Sequence, residues 1–591
     1  MAQLCKWPVA ALWLGLLLCL APVTRSGPAK ASEDEDLQKN NLVYEIFVRS
    51  FCDGDKAPKQ KNRRPGNLRG LLSKLDTYLN DGDPKTTHDL EVGILWLMPI
   101  FPSPSYHGYD VTDYRAIHPD YGTMDDFKAL LKEAHRRGVR IILDIPFNHT
   151  SDEHLWFKVA LADKTSPLRA FYQIEPDEGP RPGGWHPATG GNGERLRYFG
   201  LFSSKMPDLN FANPKVKQEV KAIARFWLDL GVDGFRLDAA KHIFGDRFDQ
   251  LREQEILQNN DWWLEFSQFV YKHKEGAVLV GEVLGDYEAL RRHAWGLDGL
   301  LGEPFMNEVR SQVSGPRPGF LGRYKQFLRQ ARELNRSAFN PRLGFKDQPF
   351  QSFDYVASHD RNPRLASDLE EMKRRGMQPE VDQAYRLTLY MLLTMSSRPI
   401  LYQGDEVMQR GWKWNGNPKN DPRNPGDGSG IFDETLREPF PWYKAGSGPG
   451  QTTWFDSRFD QPNDGVSKEE QEQPGKMLHL VRGLTRLRAR HPALANGTLG
   501  EIPSDAQDWM VFEKVGGPDR YLVLINLTGK RNSYQFHAAW YPRYLGAQLI
   551  FESDGGKRTW RDLSDAGQRI TNSVDVPAFG LVVIRQAAPT P

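Results

Sequence analysis

Four apolar runs in this 591-residue chain end in groups able to do acid–base or nucleophilic chemistry. VDGFRLDAAKH (232–242) carries Arg236, Asp238, Lys241 and His242, and AVLVGEV (277–283) carries Glu282. DYVASHD (354–360) ends in His359 and Asp360, and IILDIPFNH (141–149) brings Asp144, Asn148 and His149. In a strand, side chains alternate between two faces, so Arg236 and Asp238 share one face while Phe235 and Leu237 take the other. Carboxylates at three separate strand ends, Asp238, Glu282 and Asp360, suit cleavage of a glycosidic bond. That reaction needs one ionised carboxylate and one protonated carboxyl on opposite sides of the scissile bond. Burial and neighbouring like charges raise the pKa of one such acid, and Arg236 favours the ionised form of Asp238. Taken singly, each acid reads as solvated surface and Arg236 as one half of a salt bridge. Their joint placement at strand ends is what points to chemistry.

A scaffold must bring those ends together. Strand-like runs at 42–51, 92–100, 140–149, 232–240, 277–283, 297–305, 350–360 and 399–405 alternate with helical patterns. Eight βα units close a (β/α)8 TIM barrel, whose C-terminal strand ends hold the active site. The helix before the fourth run is well marked. Asn213 caps it, Pro214 suits its first turn, and Val216, Val220, Ile223, Trp227 and Leu228 form one apolar face. Gly231 ends it in a left-handed conformation. A second helix is expected over 124–138. Residues 150–210, rich in Gly, Pro and polar side chains, interrupt the alternation after the third strand and read as a small inserted domain over the barrel mouth. Residues 421–450 read as an ordered loop after the eighth strand. From about 497 the pattern changes to strands at 509–515, 521–526, 548–552 and 581–585, an α/β barrel giving way to a C-terminal antiparallel β-sandwich. The expected division is 1–31 signal peptide, 32–149 barrel, 150–210 inserted domain, 211–493 barrel and 494–591 sandwich.

The composition narrows the function classes. Lys plus Arg (77) nearly equals Asp plus Glu (76), which gives no electrostatic footprint for nucleic acid or an anionic membrane. Lys6 followed by an almost wholly apolar stretch, 7–23, and the small-x-small site Ala29-Lys30-Ala31 reads as an export signal, so a secreted protein is expected with no membrane association after cleavage. A lipoprotein reading of Cys19 meets a large Leu18 at the attachment site. The mature chain keeps only Cys52, so no intrachain disulfide is expected. A monomer is the expectation.

DIPFNH, GFRLDAAKH, GEV and SHD occur in the order of the four signature motifs of glycoside hydrolase family 13, the α-amylase family, and the chain resembles that family from about residue 41 onward. KMPDLN (205–210) resembles the additional motif near the end of the family's inserted domain, and SPSYHGYDVTDY (103–114) and PILYQGDE (399–406) fit its second and eighth barrel strands. REPFPWY (437–443) followed by GSGPGQTTW (446–454) is similar to bacterial extracellular α-amylases described as intermediate between oligo-1,6-glucosidases and neopullulanases. The resemblance implies that Asp238 is the nucleophile, Glu282 the general acid/base and Asp360 the carboxylate that stabilises the transition state. It implies that Arg236 orients the nucleophile and that His149, His359, Tyr109, His107 and Asp144 serve the sugar at the cleavage subsite. Lys241 and His242 match a pair contacting the sugar on the leaving side. It further implies an α-glucan substrate (starch, glycogen or maltooligosaccharides), and a Ca2+ site from Asn148, Asp208 and the carbonyl of His242. Two departures stand out. Ser358 replaces the usual Asn before His-Asp, which bears on the balance between hydrolysis and transfer. The loop after the first strand begins Asp53-Gly54-Asp55, like the family's calcium loop, but continues KAPKQKNRRPGN. Lysine and arginine offer calcium no side-chain ligand, so no calcium is expected there. An endo-acting α-amylase is the leading reading. A transglycosylase or a neopullulanase-like or cyclodextrin-cleaving enzyme, an exo-acting α-glucosidase, and a catalytically dead binding protein are the alternatives. The presence of all three acids speaks against the last.

Overall fold

The computed structural model describes residues 40–586 apart from 56–62, 180–182, 246–250, 298, 316–318, 339–349, 378, 414–432, 502–507, 537–540, 545, 554–560, 564–568 and 571–572. The segment expected as an export signal and residues 421–432 of the expected loop lie outside them.

Three strands open the chain: β1 (Val43–Ile46), β2 (Ile94–Leu97) and β3 (Arg140–Ile145). Between β3 and the next barrel strand, β4 (Ile174–Pro176), β5 (Trp185–Thr189) and β6 (Arg195–Phe199) pair as a separate antiparallel sheet, order β4-β6-β5. The barrel resumes with β7 (Gly234–Leu237), β8 (Val278–Gly281), β9 (Gly299–Leu301), β10 (Gln351–Tyr355) and β11 (Arg398–Tyr402). These eight strands close in the order β1-β11-β10-β9-β8-β7-β3-β2, all parallel. The fold class read from the sequence is the one observed.

Strand alternation sorts the side chains. Val43, Ile94, Trp96, Ile142, Val278, Val280, Leu301, Phe353, Tyr355 and Ile400 fill the barrel interior as one apolar cluster. Phe235 and Leu237 join the larger cluster between barrel and helices, so Arg236 must face inward. The helix Pro214–Leu230 covers the outside. Asn213 accepts from the Lys215 N–H, Pro214 occupies its first turn, and Gly231 leaves it at φ +111°. Its buried face includes Val216, Val220, Ile223, Trp227 and Leu228, as the spacing requires. The second helix runs Met124–Arg136, begun by a capping box between Thr123 and Asp126.

Two apolar runs resolve differently from expectation. The first run is strand only to Ile46, and Val48–Phe51 is a short helix. The sixth is strand only over Gly299–Leu301. Phe305 belongs instead to the helix Glu303–Ser314, because Gly302 caps that helix and Pro304 fits its first turn.

The C-terminal region adds β12 (Thr498–Glu501), β13 (Trp509–Gly516), β14 (Asp519–Asn526), β15 (Asn532–Gln535), β16 (Gln548–Ser553), β17 (Arg561–Asp562), β18 (Ser573–Val576) and β19 (Leu581–Gln586). They form a six-stranded sheet, β12-β13-β14-β19-β16-β17, and a two-stranded ribbon, β15-β18. Val511, Leu522, Leu524, Val582 and Ile584 of the sheet pack against Val576, Tyr534 and Val574 of the ribbon. Among the described residues no helix is long and apolar enough to cross a membrane.

Candidate active site

β7 ends at Leu237, and Asp238 is the next residue. Ala239 then turns left-handed at φ +49° and leads into the helical turn Ala240–His242. Glu282 follows the end of β8, and His359 and Asp360 lie in the loop after β10. All are at the C-terminal mouth of the barrel, where converging strand ends present side chains to a common point.

One guanidinium ties the carboxylates together. Arg236 Nη1 donates to Asp144 Oδ1 at 2.8 Å and to Asp238 Oδ1 at 2.5 Å, while Nη2 is 3.1 Å from Glu282 Oε1. The turn at Ala239 aims its N–H at Glu282 Oε2, 2.9 Å away. Asp144 Oδ2 accepts from Trp96 Nε1 at 3.1 Å and from the Tyr109 hydroxyl at 3.0 Å. Asp144 has no exposed side-chain surface, whereas that of Asp360 is 40% exposed. Asp360 is therefore open to the barrel mouth, whereas Asp144 is buried against Arg236, Trp96 and Tyr109. Asp360 is bound at Oδ2 by His359 Nε2, 2.8 Å, and at Oδ1 by Arg437 Nη2, 2.8 Å. Arg437 also donates to Asp433 Oδ2 at 2.6 Å and to the His359 carbonyl at 3.2 Å.

These contacts set the protonation states. Burial pushes Asp238 up to about 6, against the pull of Arg236 and with a further push from Asp144 and Asp360. Burial pushes Glu282 higher, to about 7, again opposed by Arg236 and helped by Asp238 and Asp360. Burial would raise Asp360 too, but His359, Arg437 and Arg236 hold it well below the usual carboxylate range. Burial raises Asp144 against Arg236 and His359. The mouth thus contains a carboxyl able to give a proton near neutrality, a carboxylate close to its own titration, and a third that stays charged.

The remaining residues named from the sequence surround this centre. Tyr109 stacks on His359 at 5.7 Å and 16°, and its hydroxyl is 2.6 Å from His359 Nε2. His107 lies one layer out, stacked near Tyr109 and accepting the Tyr109 N–H at Nδ1, 3.1 Å. His149 Nε2 meets the Tyr109 carbonyl at 3.2 Å, and burial lowers its imidazole to about 4. Lys241 is at the rim, with Nζ donating to the Leu284 carbonyl at 3.1 Å. The Phe202 ring is 5.6 Å from both His149 and His242. Phe202 and Leu284 are among four exposed large hydrophobic residues in the described chain, which makes the surface beside Lys241 and His242 apolar as well as polar. Ser358 has a local task. Its hydroxyl accepts from the Asp360 and Arg361 N–H groups at 3.4 and 3.2 Å, fixing the turn that carries His359 and Asp360.

The sequence reading missed Glu45, Trp96, Asp433 and Arg437. Glu45 was visible as a charge inside an apolar strand, in register with inward-facing Val43. Arg437 opens REPFPWY, but nothing local links it to Asp360, 77 residues away.

The two calcium questions separate. Asp208 pairs through its backbone with His149 and is 4% exposed. Burial pushes its carboxyl up to about 8, with only the Leu201 N–H and the Asn148 side chain favouring the charged form. The Asn148 amide faces it without a well-formed hydrogen bond, its Nδ2 buried and unpartnered. The His242 carbonyl receives a long 3.3 Å bond from the Gly245 N–H. A buried carboxylate short of positive charge, an amide and a carbonyl are calcium-type donors, and the residues fit the ion. The loop at 53–55 does not. Arg64 Nε is 2.5 Å from Asp53 Oδ2, Asn67 Nδ2 2.7 Å from Asp53 Oδ1, and Arg69 Nη1 2.8 Å from Asp55 Oδ1. Two guanidinium groups and one amide N–H thus occupy these carboxylate oxygens.

An eight-stranded parallel barrel with paired carboxylates of divided protonation at its mouth defines a glycosidase-type barrel. The sequence pattern of the Alpha amylase catalytic domain matches residues 45–497. Alpha-amylase 3 of Dictyoglomus thermophilum is 34% identical over 508 residues, 85% of this chain and 88% of that protein. An oligo-1,6-glucosidase of Halalkalibacterium halodurans is 28% identical, covering 84% and 91%. The crystal structure of the alpha-amylase from H. orenii aligns with a TM-score of 0.72 at 32% identity, covering 93% of this chain and 99% of that one. The chain belongs to the α-amylase family, glycoside hydrolase family 13, and is a glycoside hydrolase acting on O-glycosyl bonds.

Proposed function

We propose that this protein is a secreted, retaining α-amylase that cuts α-1,4-glucosidic bonds within starch, glycogen and maltooligosaccharides. The observation that carries the reading is the Asp238–Arg236–Glu282 cluster, in which one guanidinium contacts both carboxylates at 2.5 and 3.1 Å. That bridge keeps the pair close, as double displacement requires at roughly 5–5.5 Å. In the proposed reaction Glu282 gives its proton to the glycosidic oxygen while Asp238 attacks the anomeric carbon, forming a glycosyl ester and releasing the leaving sugar. Glu282, now a carboxylate, takes a proton from water as the water oxygen displaces Asp238, restoring both groups. Asp360, kept ionised by His359 and Arg437, faces the positive charge that develops on the sugar ring.

The name of the Dictyoglomus relative and the Lys241–His242 pair at the rim support α-1,4 specificity. Lys6 and the apolar stretch before Ala29-Lys30-Ala31 support export. The donor chemistry of Asn148, Asp208 and His242 supports a structural Ca2+, which when bound supplies positive charge beside Asp208. A second reading, glucan transfer, is favoured by Phe202 and Leu284, whose exposed apolar surfaces would hold a sugar acceptor against water. A relative from Thermotoga maritima, 28% identical, carries the name 4-alpha-glucanotransferase.

The test is a time course of products from soluble starch beside pullulan and cyclodextrin digests. A rapid fall in polymer length with mixed maltooligosaccharides from starch is expected. Glucose alone from the outset, or products longer than a maltooligosaccharide substrate, would replace the reading with an exo-glucosidase or a transferase.

A further inference from the structure

Glu45 lies on β1 two residues after Val43, on the inward face, and has no solvent exposure. Its Oε1 is hydrogen-bonded to Nδ1 of His359, and its Oε2 is buried with no hydrogen-bond partner. A carboxylate this deep in a barrel, satisfied at one oxygen only, needs a reason to be there. The opposite ring nitrogen, Nε2, is 2.8 Å from Asp360 Oδ2 and 2.6 Å from the Tyr109 hydroxyl. Tyr109 donates its own proton to Asp144 Oδ2, so its oxygen is free to accept. An imidazole with acceptors at both nitrogens carries a proton on each.

The groups around the ring come from several elements. Glu45 is on β1, Trp96 on β2 packs edge-on at 5.9 Å, and Tyr109 follows β2 and connects to Asp144 on β3. Asp360 is the next residue along, Arg437 donates to the His359 carbonyl, and Arg236 lies 5.9 Å from the Tyr109 ring. Burial would lower the His359 imidazole, but Asp360 and Glu45 carry it up to about 10.

We propose that Glu45 is a positioning residue for glycoside cleavage: it accepts the hydrogen bond of His359 Nδ1–H and keeps the ring protonated, so that Nε2–H stays a charged donor toward Asp360 and the sugar site. The proposal rests on the reading of Asp360 as the carboxylate that faces the developing charge. Glu45 touches no substrate and acts through His359 alone. Without it the ring releases one proton, and Asp360 loses a charge-assisted donor. A carboxylate that merely fills the barrel would influence stability and leave the pH limits of activity where they are.

Glu45→Gln keeps the shape and removes the charge. The expected result is a fall in kcat of about ten-fold or more, with KM for a maltooligosaccharide changed less than about three-fold. Its pH–activity profile narrows. Asp360, its donor weakened, rises toward Asp238 and lifts the acid limb, while His359, no longer held at about 10, falls toward Glu282 and pulls the alkaline limb below where Glu282 alone sets it. In a His359→Gln background the same change adds little. Wild-type kcat and pH limits in Glu45→Gln overturn the proposal. If that variant folds poorly, 15N-histidine spectra of the wild type decide. The His359 signal, assigned by its loss in His359→Gln, is that of an imidazolium at about pH 8, and a neutral tautomer there overturns the proposal. A wild type inert on every α-glucan sinks the reading of the site itself, a result distinct from an active wild type with an unaltered Glu45→Gln.

Discussion

The sharpest consequence of the site concerns pH. Catalysis as proposed needs Asp238 ionised and Glu282 protonated together, and the two carboxyls are pushed to about 6 and about 7. The productive form then peaks at about pH 6.5, where roughly 60% of the enzyme holds it, and falls to roughly 3% two units to either side. That is a loss of about twenty-fold in kcat/KM by about pH 4.5 and again by about pH 8.5. Because the carboxyls face each other across Arg236, the two limbs belong to the pair. Initial rates on a chromogenic maltooligosaccharide across this range measure the bell. In Glu282→Gln the alkaline limb should vanish on a substrate whose leaving group needs no proton, since no acid is left to titrate. A flat profile, a maximum displaced by more than about one unit, or an alkaline limb that survives Glu282→Gln would each refute the assignment of acid and nucleophile. The same shifts act on stability. Both groups have folded values raised above the ordinary carboxylate range, so their contribution is fully present below about pH 4 and is lost as pH rises through about 6 and 7. These two carboxyls therefore favour the fold on the acid side of the bell and not on the alkaline side.

Two further predictions concern the cations. Arg64→Met leaves Asp53, whose side chain is 3% exposed, with Asn67 and the Asp55 N–H as partners. With Arg64 itself 32% exposed, the expected cost is about 1–3 kcal/mol, read as a lower melting temperature. An unchanged melting temperature refutes the view that Asp53 depends on this guanidinium. Asp208→Asn should abolish calcium retention in chelator-treated, reloaded protein assayed by mass spectrometry, where the wild type keeps the ion. Equal calcium in both proteins removes Asp208 from the ligand set.

Much of this was legible in the sequence because a barrel leaves few places for charge. Apolar strands such as 277–281 exclude polar side chains until they reach the mouth, so Glu282, Asp238 and Asp360 announce themselves by position. Other features depend on closure. Apolar runs of four or five residues do not reveal their period, so Val48–Phe51 and Phe305 read as strand although they are helical. Arg437 lies in a loop after β11 and reaches Asp360 because β10 and β11 are neighbours in the closed barrel. Glu45 meets His359 from β1, on the far side of β11. No spacing within one segment reports such contacts.

The order of the three acids follows from how closure distributes positive charge. Asp360 has a cation at each oxygen, His359 and Arg437, both at 2.8 Å, and sits lowest. Asp238 has one, Arg236 at 2.5 Å, and is intermediate. Glu282 has the same guanidinium at 3.1 Å, supplemented by one backbone N–H from the left-handed turn at Ala239, and sits highest. Asp144 completes the arrangement by taking part of Arg236 for itself at 2.8 Å, which keeps the guanidinium from serving the two reactive carboxyls alone. In the proposed mechanism, three acids of nearly equal intrinsic strength thus become a fixed charge, a nucleophile and a proton donor through the placement of three cations, two of which, Arg437 and doubly held His359, take their partners from strands that meet only when the barrel closes.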